Sequence, residues 1–540
     1  MRILMVQTNP LVGDIPGNTK KLLTEAKQGI EDYAADIIVF PELVLTAYPP
    51  EDLLLRPSLD KRISSALDEI KKAKLPAWLV VGYPGRTDGK LYNMLSVFYK
   101  GQCLASYRKQ HLPNYQVFDE KRYFSAGNEA CILEIKNVAV AFSICEDLWE
   151  EQPMQQAKQA GAKLMINING SPFHLNKIQE RQEIIKKRIS ENPMPVIYVN
   201  QVGAQDELVF DGASMAFDQS GKLCAMAPLY EEAMLPIDCS INKNGELCLS
   251  ESEIFQVPSP EAGIYQALVT GLKDYINKNG FPGVVLGLSG GIDSALTLAL
   301  AVDALGAQRV QAVMMPYAYT SQMSLEDARK QALTLGVKYQ VIPIADIYNS
   351  FTQALSDEFK DCIPDITEQN LQARSRGVLL MAISNKKNML VLTTGNKSEL
   401  AVGYSTLYGD MAGGFDVLKD VPKMLVYELS RYRNTLGEAI PQRVIDRAPS
   451  AELAPGQVDE DNLPPYPELD QILELYIEED QSAEEIINKG FSKEIVEKVL
   501  RLVDINEHKR RQAPIGVRIS KRGFGKDRRY PITSGWKLGQ

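Results

Sequence analysis

The chain alternates between short apolar segments of strand length and longer segments with the apolar spacing of a helix. Near the start, apolar runs at residues 3–6 and 37–40 flank an amphipathic stretch over about 18–34. This alternation predicts layered α/β architecture, because each strand and helix must bury an apolar side against a neighbour. The periodicity is lost between residues 249 and 262, which include Pro258-Ser259-Pro260. We therefore predict a domain over 1–250, a linker over 251–260 and a second domain over 261–540.

The second half begins with a predicted buried strand that breaks into a glycine-rich turn and then an apolar helix. The turn reads Gly287-Leu288-Ser289-Gly290-Gly291-Ile292-Asp293-Ser294. Adjacent glycines let a ligand approach the backbone, and N–H groups at a helix N-terminus suit a phosphate. A Walker-type lysine is absent from the turn. The alternative is an ordinary helix entry in which Asp293 and Ser294 act as caps.

The segments that follow run in the order β-α-β-α-β. This order predicts a doubly wound parallel sheet whose ligands lie at the carboxyl ends of its strands. A later apolar run, 389–393, repeats the layout of strand, polar turn and helix. Thr394 and Glu399 are therefore predicted to face the same crevice as Asp293. A helix cap formed by Ser398 and Glu399 is the competing interpretation.

Composition narrows the class of protein. Of 540 residues, 45% are hydrophobic and 24% charged, as in a soluble globular protein. The formal charge of −10 argues against nucleic-acid or membrane partners, and no apolar run approaches the roughly 18 residues of a membrane span. We therefore expect a cytoplasmic protein with small-molecule partners. Seven cysteines without a C-x-x-C pair, and only three histidines, argue against a disulfide framework or a histidine-rich metal site.

Three reactive side chains in the first half follow predicted strands. Glu42 follows Phe40-Pro41, Lys109 lies in an aromatic segment, and Cys145 ends the apolar run 138–144. A cysteine nucleophile needs a base to accept its proton and a cation to stabilise the thiolate. Glu42 and Lys109 provide these functions if all three residues leave strand ends in one α/β layer. Individually, each residue is more typical of ordinary packing or of the solvent-facing surface.

These segments resemble the signature segments of the nitrilase superfamily. The resemblance rests on Phe-Pro-Glu, Tyr-Arg-Lys-Gln-His-Leu-Pro-Asn-Tyr and Ile-Cys-Glu-Asp-Leu-Trp. It implies a four-layer α/β/β/α sandwich that hydrolyses amides through a thioester. Cys145 would be the nucleophile, Glu42 the base and Lys109 the stabilising cation, with Glu120 as a supporting glutamate.

The resemblance to the glutaminase members of that superfamily also implies a binding site for glutamine. The residues implicated are Tyr115, Ser171 and Lys177. The alternatives are that Tyr115 packs in the core and that Lys177 lies on the solvent face of its helix, beside Arg181.

The glycine-rich turn resembles the loop of N-type ATP pyrophosphatases. Four further segments, 370–374, 393–399, 449–453 and 507–510, resemble the remaining signatures of the NAD synthetase family. The resemblance implies an adenine nucleotide alpha hydrolase-like sheet and a homodimer or higher homo-oligomer. It implies magnesium at Asp293 and Glu399. The implied ATP-binding residues are Gly287, Leu288, Ser289, Gly290, Gly291, Ile292, Asp293, Ser294, Thr394, Lys423 and Ser450. The implied residues for deamido-NAD are Asn370, Arg374, Glu399 and Lys509.

Together the halves predict a carbon–nitrogen ligase. One half would release ammonia from glutamine, and the other would use ATP to activate the carboxylate of deamido-NAD and convert it to NAD, releasing AMP and pyrophosphate. A GMP synthetase is the alternative enzyme, although its glutaminase normally uses a Cys-His-Glu triad. An inert scaffold is the alternative outside enzymes. The ammonia path and the coupling between the sites stay open at this stage.

Overall fold

The computed structural model of the chain describes residues 1–454, 456–457, 459, 463–534 and 536. The chain divides into two compact units, Met1–Val257 and Pro258–Gln540. All seven cysteines are unpaired. Within the described ranges, no helix combines the length and the hydropathy that a bilayer crossing requires.

The first unit contains two large mixed sheets and a small hairpin. From edge to edge, the seven-stranded sheet consists of Leu247–Leu249, Ala233–Ile241, Arg2–Gln7, Ile37–Val39, Trp78–Thr87, Lys90–Tyr99 and Gln102–Arg108. The six-stranded sheet consists of Leu223–Met226, Met215–Phe217, Val196–Asn200, Leu164–Asn169, Val138–Ile144 and Cys131–Ile135. The hairpin pairs Val202–Gln205 with Leu208–Asp211.

The two sheets pack face to face and each is covered by helices on its outer side. Alternate residues of a strand point to opposite faces, and most of these strands place apolar side chains both in the core between the sheets and in a core under the helices. Val39 and Val97 of one sheet share a core with Ile166 of the other. The outer faces are covered by Ile15–Tyr33 and Leu59–Ala73 on one side, and by Glu151–Gln159 and Lys177–Glu191 on the other. The predicted α/β/β/α sandwich is confirmed.

The first helix begins earlier than the apolar spacing predicts. It spans Ile15–Tyr33 because Asp14 caps it, accepting a hydrogen bond from the Gly17 N–H at 3.1 Å. Pro16 fits the first turn, where no N–H is needed. Short 3-10 helices complete the unit at Glu51–Leu55, Glu120–Arg122 and Cys145–Leu148.

The second unit is built on a five-stranded sheet in which every neighbouring pair is parallel. Its strand order is Lys338–Val341, Val310–Met314, Val284–Gly287, Leu390–Thr393 and Phe415–Asp416. The chain starts at the central strand, moves to one edge and then returns to the other side. The predicted doubly wound sheet is confirmed, and its switch point lies between Val284–Gly287 and Leu390–Thr393.

Helices surround this sheet. Ile292–Leu305 is apolar on nearly all sides and therefore buried, which anchors the glycine-rich turn that precedes it. The other helices are Pro260–Lys278, Gln322–Thr334, Ala345–Ala354, Ile366–Lys387, Lys397–Val402, Lys423–Thr435, Gln442–Asp446, Tyr466–Leu473, Ala483–Asn488, Lys493–Ile505 and Glu507–Arg510, with a 3-10 turn at Ala307–Arg309 and a π-helical turn at Glu474–Glu478.

Candidate functional site

The first unit buries a lysine between two carboxylates. The Lys109 Nζ atom lies 2.8 Å from Glu42 Oε1 and 2.8 Å from Glu120 Oε1. The lysine side chain is fully buried, as is that of Glu42. Burial by itself lowers the pKa of Lys109, but the charges of Glu120 and Glu42 outweigh it and raise that pKa well above its usual range. Lys109 is therefore a permanent cation at this site.

Glu42, Lys109 and Cys145 come from two sheets, so the expectation of one layer was wrong. Glu42 and Lys109 follow strands of the seven-stranded sheet, whereas Cys145 follows Val138–Ile144 of the six-stranded sheet. Sequence spacing does not reveal this, because strand-to-sheet assignment depends on long-range pairing. Burial, then the Glu42 charge, raises the pKa of the Cys145 thiol, while Lys109 lowers it. The thiol is therefore protonated at rest and needs a base.

Further groups hold the carboxylates in place. Asn93 Nδ2 donates to Glu42 Oε1 at 2.7 Å, and the Gly170 N–H donates to Glu42 Oε2 at 2.8 Å. Burial raises the pKa of Glu120 to about 7, although Lys109 acts against that shift. The Tyr48 hydroxyl donates to Glu120 Oε1 at 3.0 Å. Asn93 was missed in the sequence, where its one signal is an amide within the mostly apolar strand Lys90–Tyr99.

Tyr115 lies at the surface, so the core-packing alternative for it is wrong. The residue is 48% exposed, and its hydroxyl donates to both Glu146 carboxylate oxygens at 3.0 Å. Burial, then the Glu146 charge, raises the pKa of Tyr115. Glu146 directly follows the candidate nucleophile, so Tyr115 borders the same region as Cys145.

Ser171 is held on every side by buried polar groups. Arg181 Nε donates to Ser171 Oγ at 3.2 Å and Arg181 Nη2 donates to the Ser171 carbonyl at 2.8 Å. The Ser171 N–H donates to Asn200 Oδ1 at 3.0 Å. Arg181 is fully buried and ion-paired with Asp211 at 2.8 Å. Arg181 therefore does not lie on the solvent face of its helix.

Lys177 also lies away from open solvent. Its Nζ atom lies 4.1 Å from the centroid of the Trp149 ring and 3.4 Å from Glu180 Oε2. Its side chain is 16% exposed. Burial, and then the Arg181 charge, lowers the pKa of Lys177. A largely buried ammonium group in this position suits a carboxylate ligand.

The second unit contains a cavity of about 570 Å³ at the switch point of its sheet. It collects most of the predicted nucleotide-site residues. Those that line it are Gly287, Leu288, Ser289, Gly291, Ile292, Asp293, Ser294, Asn370, Thr394, Glu399, Lys423, Ser450 and Lys509. The predicted crevice shared by Thr394, Glu399 and Asp293 is thus present in the structure.

Gly290 and Arg374 do not line the cavity. Gly290 instead packs against the backbone of Ser324, and its carbonyl accepts a hydrogen bond from Arg447 at 3.0 Å. Arg374 is exposed, and its Nε donates to the Leu407 carbonyl at 3.2 Å. The cavity is lined by Arg376, whose pKa burial lowers to about 10. Residues two apart on a helix point in nearly opposite directions, and only packing decides which one faces a site.

Lys423 joins the two acidic side chains of the cavity. Its Nζ atom lies 2.6 Å from Asp293 Oδ2 and 3.1 Å from Glu399 Oε1. Asn396 Nδ2 donates to Asp293 Oδ1 at 2.9 Å. Burial raises the pKa of Glu399 to about 8, with Lys423 acting against that shift and Asp293 adding to it. The protonation of Glu399 therefore depends on the charges around it, and a bound cation or phosphate would change it.

Helix capping accounts for only some of the contacts that Glu399, Ser294 and Asp293 make. Glu399 does close a capping box, since its Oε2 accepts from the Asn396 N–H at 3.4 Å, but its other oxygen contacts Lys423. Ser294 Oγ donates to the Gly291 carbonyl at 3.0 Å, and Asp293 points to Asn396 and Lys423. The same side chains thus shape the turns and line the cavity.

Comparison with known proteins matches each of the two units to a protein family. Residues 2–246 match the family model for carbon-nitrogen hydrolases, and residues 264–513 match the NAD synthase model. The fold and these matches define a carbon–nitrogen ligase that joins a nitrilase-type amidohydrolase unit to an NAD synthase unit. The chain is 49% identical to the glutamine-dependent NAD(+) synthetase of Acinetobacter baylyi, with 99% of each chain covered, and 44% identical to that of Aquifex aeolicus, with the same coverage. It belongs to the family of glutamine-dependent NAD(+) synthetases.

A solved structure supports the same assignment. The chain is 47% identical to the glutamine-dependent NAD+ synthetase of Acinetobacter baumannii, whose structure contains ADP, with a TM-score of 0.80 and coverage of 100% of this chain and 99% of that one. The glutamine-dependent NAD(+) synthetase of Cytophaga hutchinsonii is 22% identical and shares the fold, with a TM-score of 0.84. These matches favour this family over the alternative, a GMP synthetase.

Proposed function

We propose that this chain converts deamido-NAD to NAD, with glutamine as nitrogen donor and ATP as co-substrate. The observation that carries the proposal is that one chain contains two different sites. One is the buried set of Cys145, Glu42 and Lys109, and the other is a cavity beside a glycine-rich turn that suits phosphate groups, at the switch point of a parallel sheet. The first chemistry makes ammonia, and the second makes a carboxylate reactive toward it. We assign the first to residues 1–250 and the second to residues 261–540, joined through 251–260.

In the first unit, Cys145 Sγ attacks the side-chain amide carbon of glutamine while Glu42 accepts the thiol proton. Lys109 donates to the oxyanion of the tetrahedral intermediate, and Glu120 keeps the lysine in place. The C–N bond then breaks, Glu42 returns the proton to the leaving nitrogen, and ammonia departs. Water hydrolyses the thioester and releases glutamate. Tyr115, Ser171 and Lys177 hold the amino-acid end of glutamine.

In the second unit, the nicotinate carboxylate of deamido-NAD attacks the α-phosphorus of ATP. Pyrophosphate leaves, and the acyl-adenylate that forms has AMP as a good leaving group. Ammonia then attacks the acyl carbon and displaces AMP. The glycine-rich turn, Thr394 and Ser450 hold ATP. The pocket residues for deamido-NAD are Asn370, Glu399 and Lys509, and Arg376 replaces Arg374 in that set because Arg376 lines the cavity.

The residues of the cavity fit a magnesium ion that binds together with the nucleotide. Asp293 and Glu399 offer the hard oxygen ligands that Mg²⁺ prefers, and Mg²⁺ commonly uses one or two carboxylates with phosphate oxygens and water. No group of three or more histidine, cysteine or acidic side chains in the described part of the chain forms a metal site alone. When bound, magnesium would supply positive charge next to the departing pyrophosphate. Lys423, which contacts both carboxylates, would then be free to meet a phosphate.

The family resemblance also supports a homodimer or a higher homo-oligomer, which light scattering of the purified protein tests directly. The central experiment uses ATP labelled at the α-phosphate, with glutamine, magnesium and deamido-NAD. Label recovered in AMP, matched one for one by NAD formed, is the expected result. Labelled ADP would contradict the ligase assignment.

A further inference from the structure

Asp147 is a fully buried carboxylate whose bonds all come from segments around the thiol site. Its Oδ1 atom accepts the N–H groups of Gln110 at 3.0 Å and His111 at 2.8 Å. Its Oδ2 atom accepts the N–H of Ile144 at 3.0 Å and the hydroxyl of Tyr107 at 2.8 Å. One carboxylate oxygen thus accepts hydrogen bonds from the segment after Lys109, and the other accepts one from the residue before Cys145.

Two of these donors are the immediate chain neighbours of the reacting groups. Gln110 follows Lys109, and Ile144 precedes Cys145. Cys145 itself has a φ of 44°, a left-handed conformation that a non-glycine residue keeps only when its surroundings enforce it. None of the ion pairs in the described residues involves Asp147. Burial raises the pKa of Asp147, and its hydrogen bonds together with the charge of Lys109 act against that rise. A buried carboxylate held in this way resists displacement, because each lost bond leaves a polar group unsatisfied.

We propose that Asp147 is a positioning residue for amide hydrolysis, which fixes Lys109 and Cys145 relative to each other by accepting main-chain N–H groups from both of their segments. The inference rests on the proposed glutaminase function of the first unit. The two segments leave different sheets, so no backbone ladder fixes their spacing at this point. A carboxylate suits the task because it offers one acceptor oxygen to each side.

The decisive substitution is Asp147→Asn. An amide has the same shape but only one acceptor oxygen, so it can serve the Lys109 segment or the Cys145 segment and not both. We expect glutamine-driven NAD formation to lose about 100-fold in kcat, the scale expected for a displacement of about 1 Å between reacting groups. The KM for glutamine should change little, and ammonia-driven NAD formation should stay at the wild-type rate.

Tyr107→Phe is the matched control. It removes one bond to Asp147 Oδ2 but leaves all three main-chain bonds, so it should keep nearly wild-type kcat. A loss in Tyr107→Phe equal to that in Asp147→Asn would overturn the proposal, because the main-chain bonds would then not be what positions the site.

A second readout separates positioning from general stability. The rate at which iodoacetamide alkylates Cys145 is followed against pH by mass spectrometry of the Cys145 peptide. The charged groups that act on this thiol include Glu42, Lys109, Glu146 and Glu120, and the cations Lys177 and Arg181 also interact with it. If Asp147→Asn moves Lys109 away, the alkylation profile shifts to higher pH. An unchanged profile together with unchanged kcat contradicts the inference.

The remaining outcomes are also decisive. If wild-type protein releases no glutamate from glutamine, the proposed function fails; if it does and Asp147→Asn matches it, only the positioning inference fails. If Asp147→Asn does not fold, the test becomes a measurement of backbone amide hydrogen exchange in the wild-type protein. The N–H groups of Gln110, His111 and Ile144 must then be protected to a similar degree, and rapid exchange at either segment would overturn the proposal.

Discussion

Replacing Gly290 with alanine should disable the nucleotide cavity without unfolding the chain. Gly290 has a φ of 84°, and a Cβ atom there would lie 2.5 Å from the Ser324 carbonyl oxygen. Backbone strain of this kind costs on the order of 1–3 kcal/mol. Relieving the overlap needs a shift of roughly 1 Å, since non-bonded atoms prefer about 3.5 Å. That shift moves the turn that would hold the phosphates.

Gly306 provides the control, because it lies at the C-terminal end of the helix Ile292–Leu305, which begins just after Gly290. Its φ is 80°, but a Cβ atom there would meet no heavy atom within 4 Å. Gly306→Ala should therefore lower the unfolding temperature while keeping normal activity. Gly290→Ala should lower NAD formation by about 100-fold with either glutamine or ammonium salt, because the shared ATP step is displaced.

The assay compares NAD formation from both nitrogen sources, with the KM for ATP and the thermal unfolding of both variants. Wild-type activity in Gly290→Ala would refute the reasoning, since it would mean that the turn tolerates the displacement. A loss confined to glutamine would also refute it, because the cavity would then not serve the common step.

Three further predictions concern Cys145, Asp293 and Glu25. Cys145→Ala should abolish NAD formation from glutamine and preserve that from ammonium salt, and assays with each nitrogen source check this; continued use of glutamine would rule out the nucleophile. Asp293→Ala should abolish NAD formation from both sources, and retained AMP production with ammonium salt would contradict its role. Burial raises the pKa of Glu25 to about 7, against a usual value of 4.5, so the native state binds more protons and loses stability as pH rises from about 4.5 through 7. Glu25→Gln should therefore raise the unfolding temperature at pH 8 and not at pH 4, and an equal rise at both would contradict the shift.

Local patterns identified much of this protein because the relevant signals lie within a few consecutive residues. A strand followed by Ser-Gly-Gly-x-Asp-Ser needs no tertiary information to predict a helix N-terminus that suits a phosphate. Glu42 and Cys145 were likewise singled out because each follows an apolar run, and Lys109 because it lies in an aromatic segment. The doubly wound sheet followed from the order of elements, since parallel strands require crossover helices.

What the tertiary structure decided is which side chains meet. Arg374 and Arg376 are indistinguishable by pattern, and the packing of their helix turns only Arg376 toward the cavity. Lys423 joins Asp293 to Glu399, and Asp147 joins the Lys109 and Cys145 segments of two different sheets. The physical reason is the same in each case: periodicity along the chain defines the faces of an element, whereas long-range packing and strand pairing set the rotation and neighbours of that element.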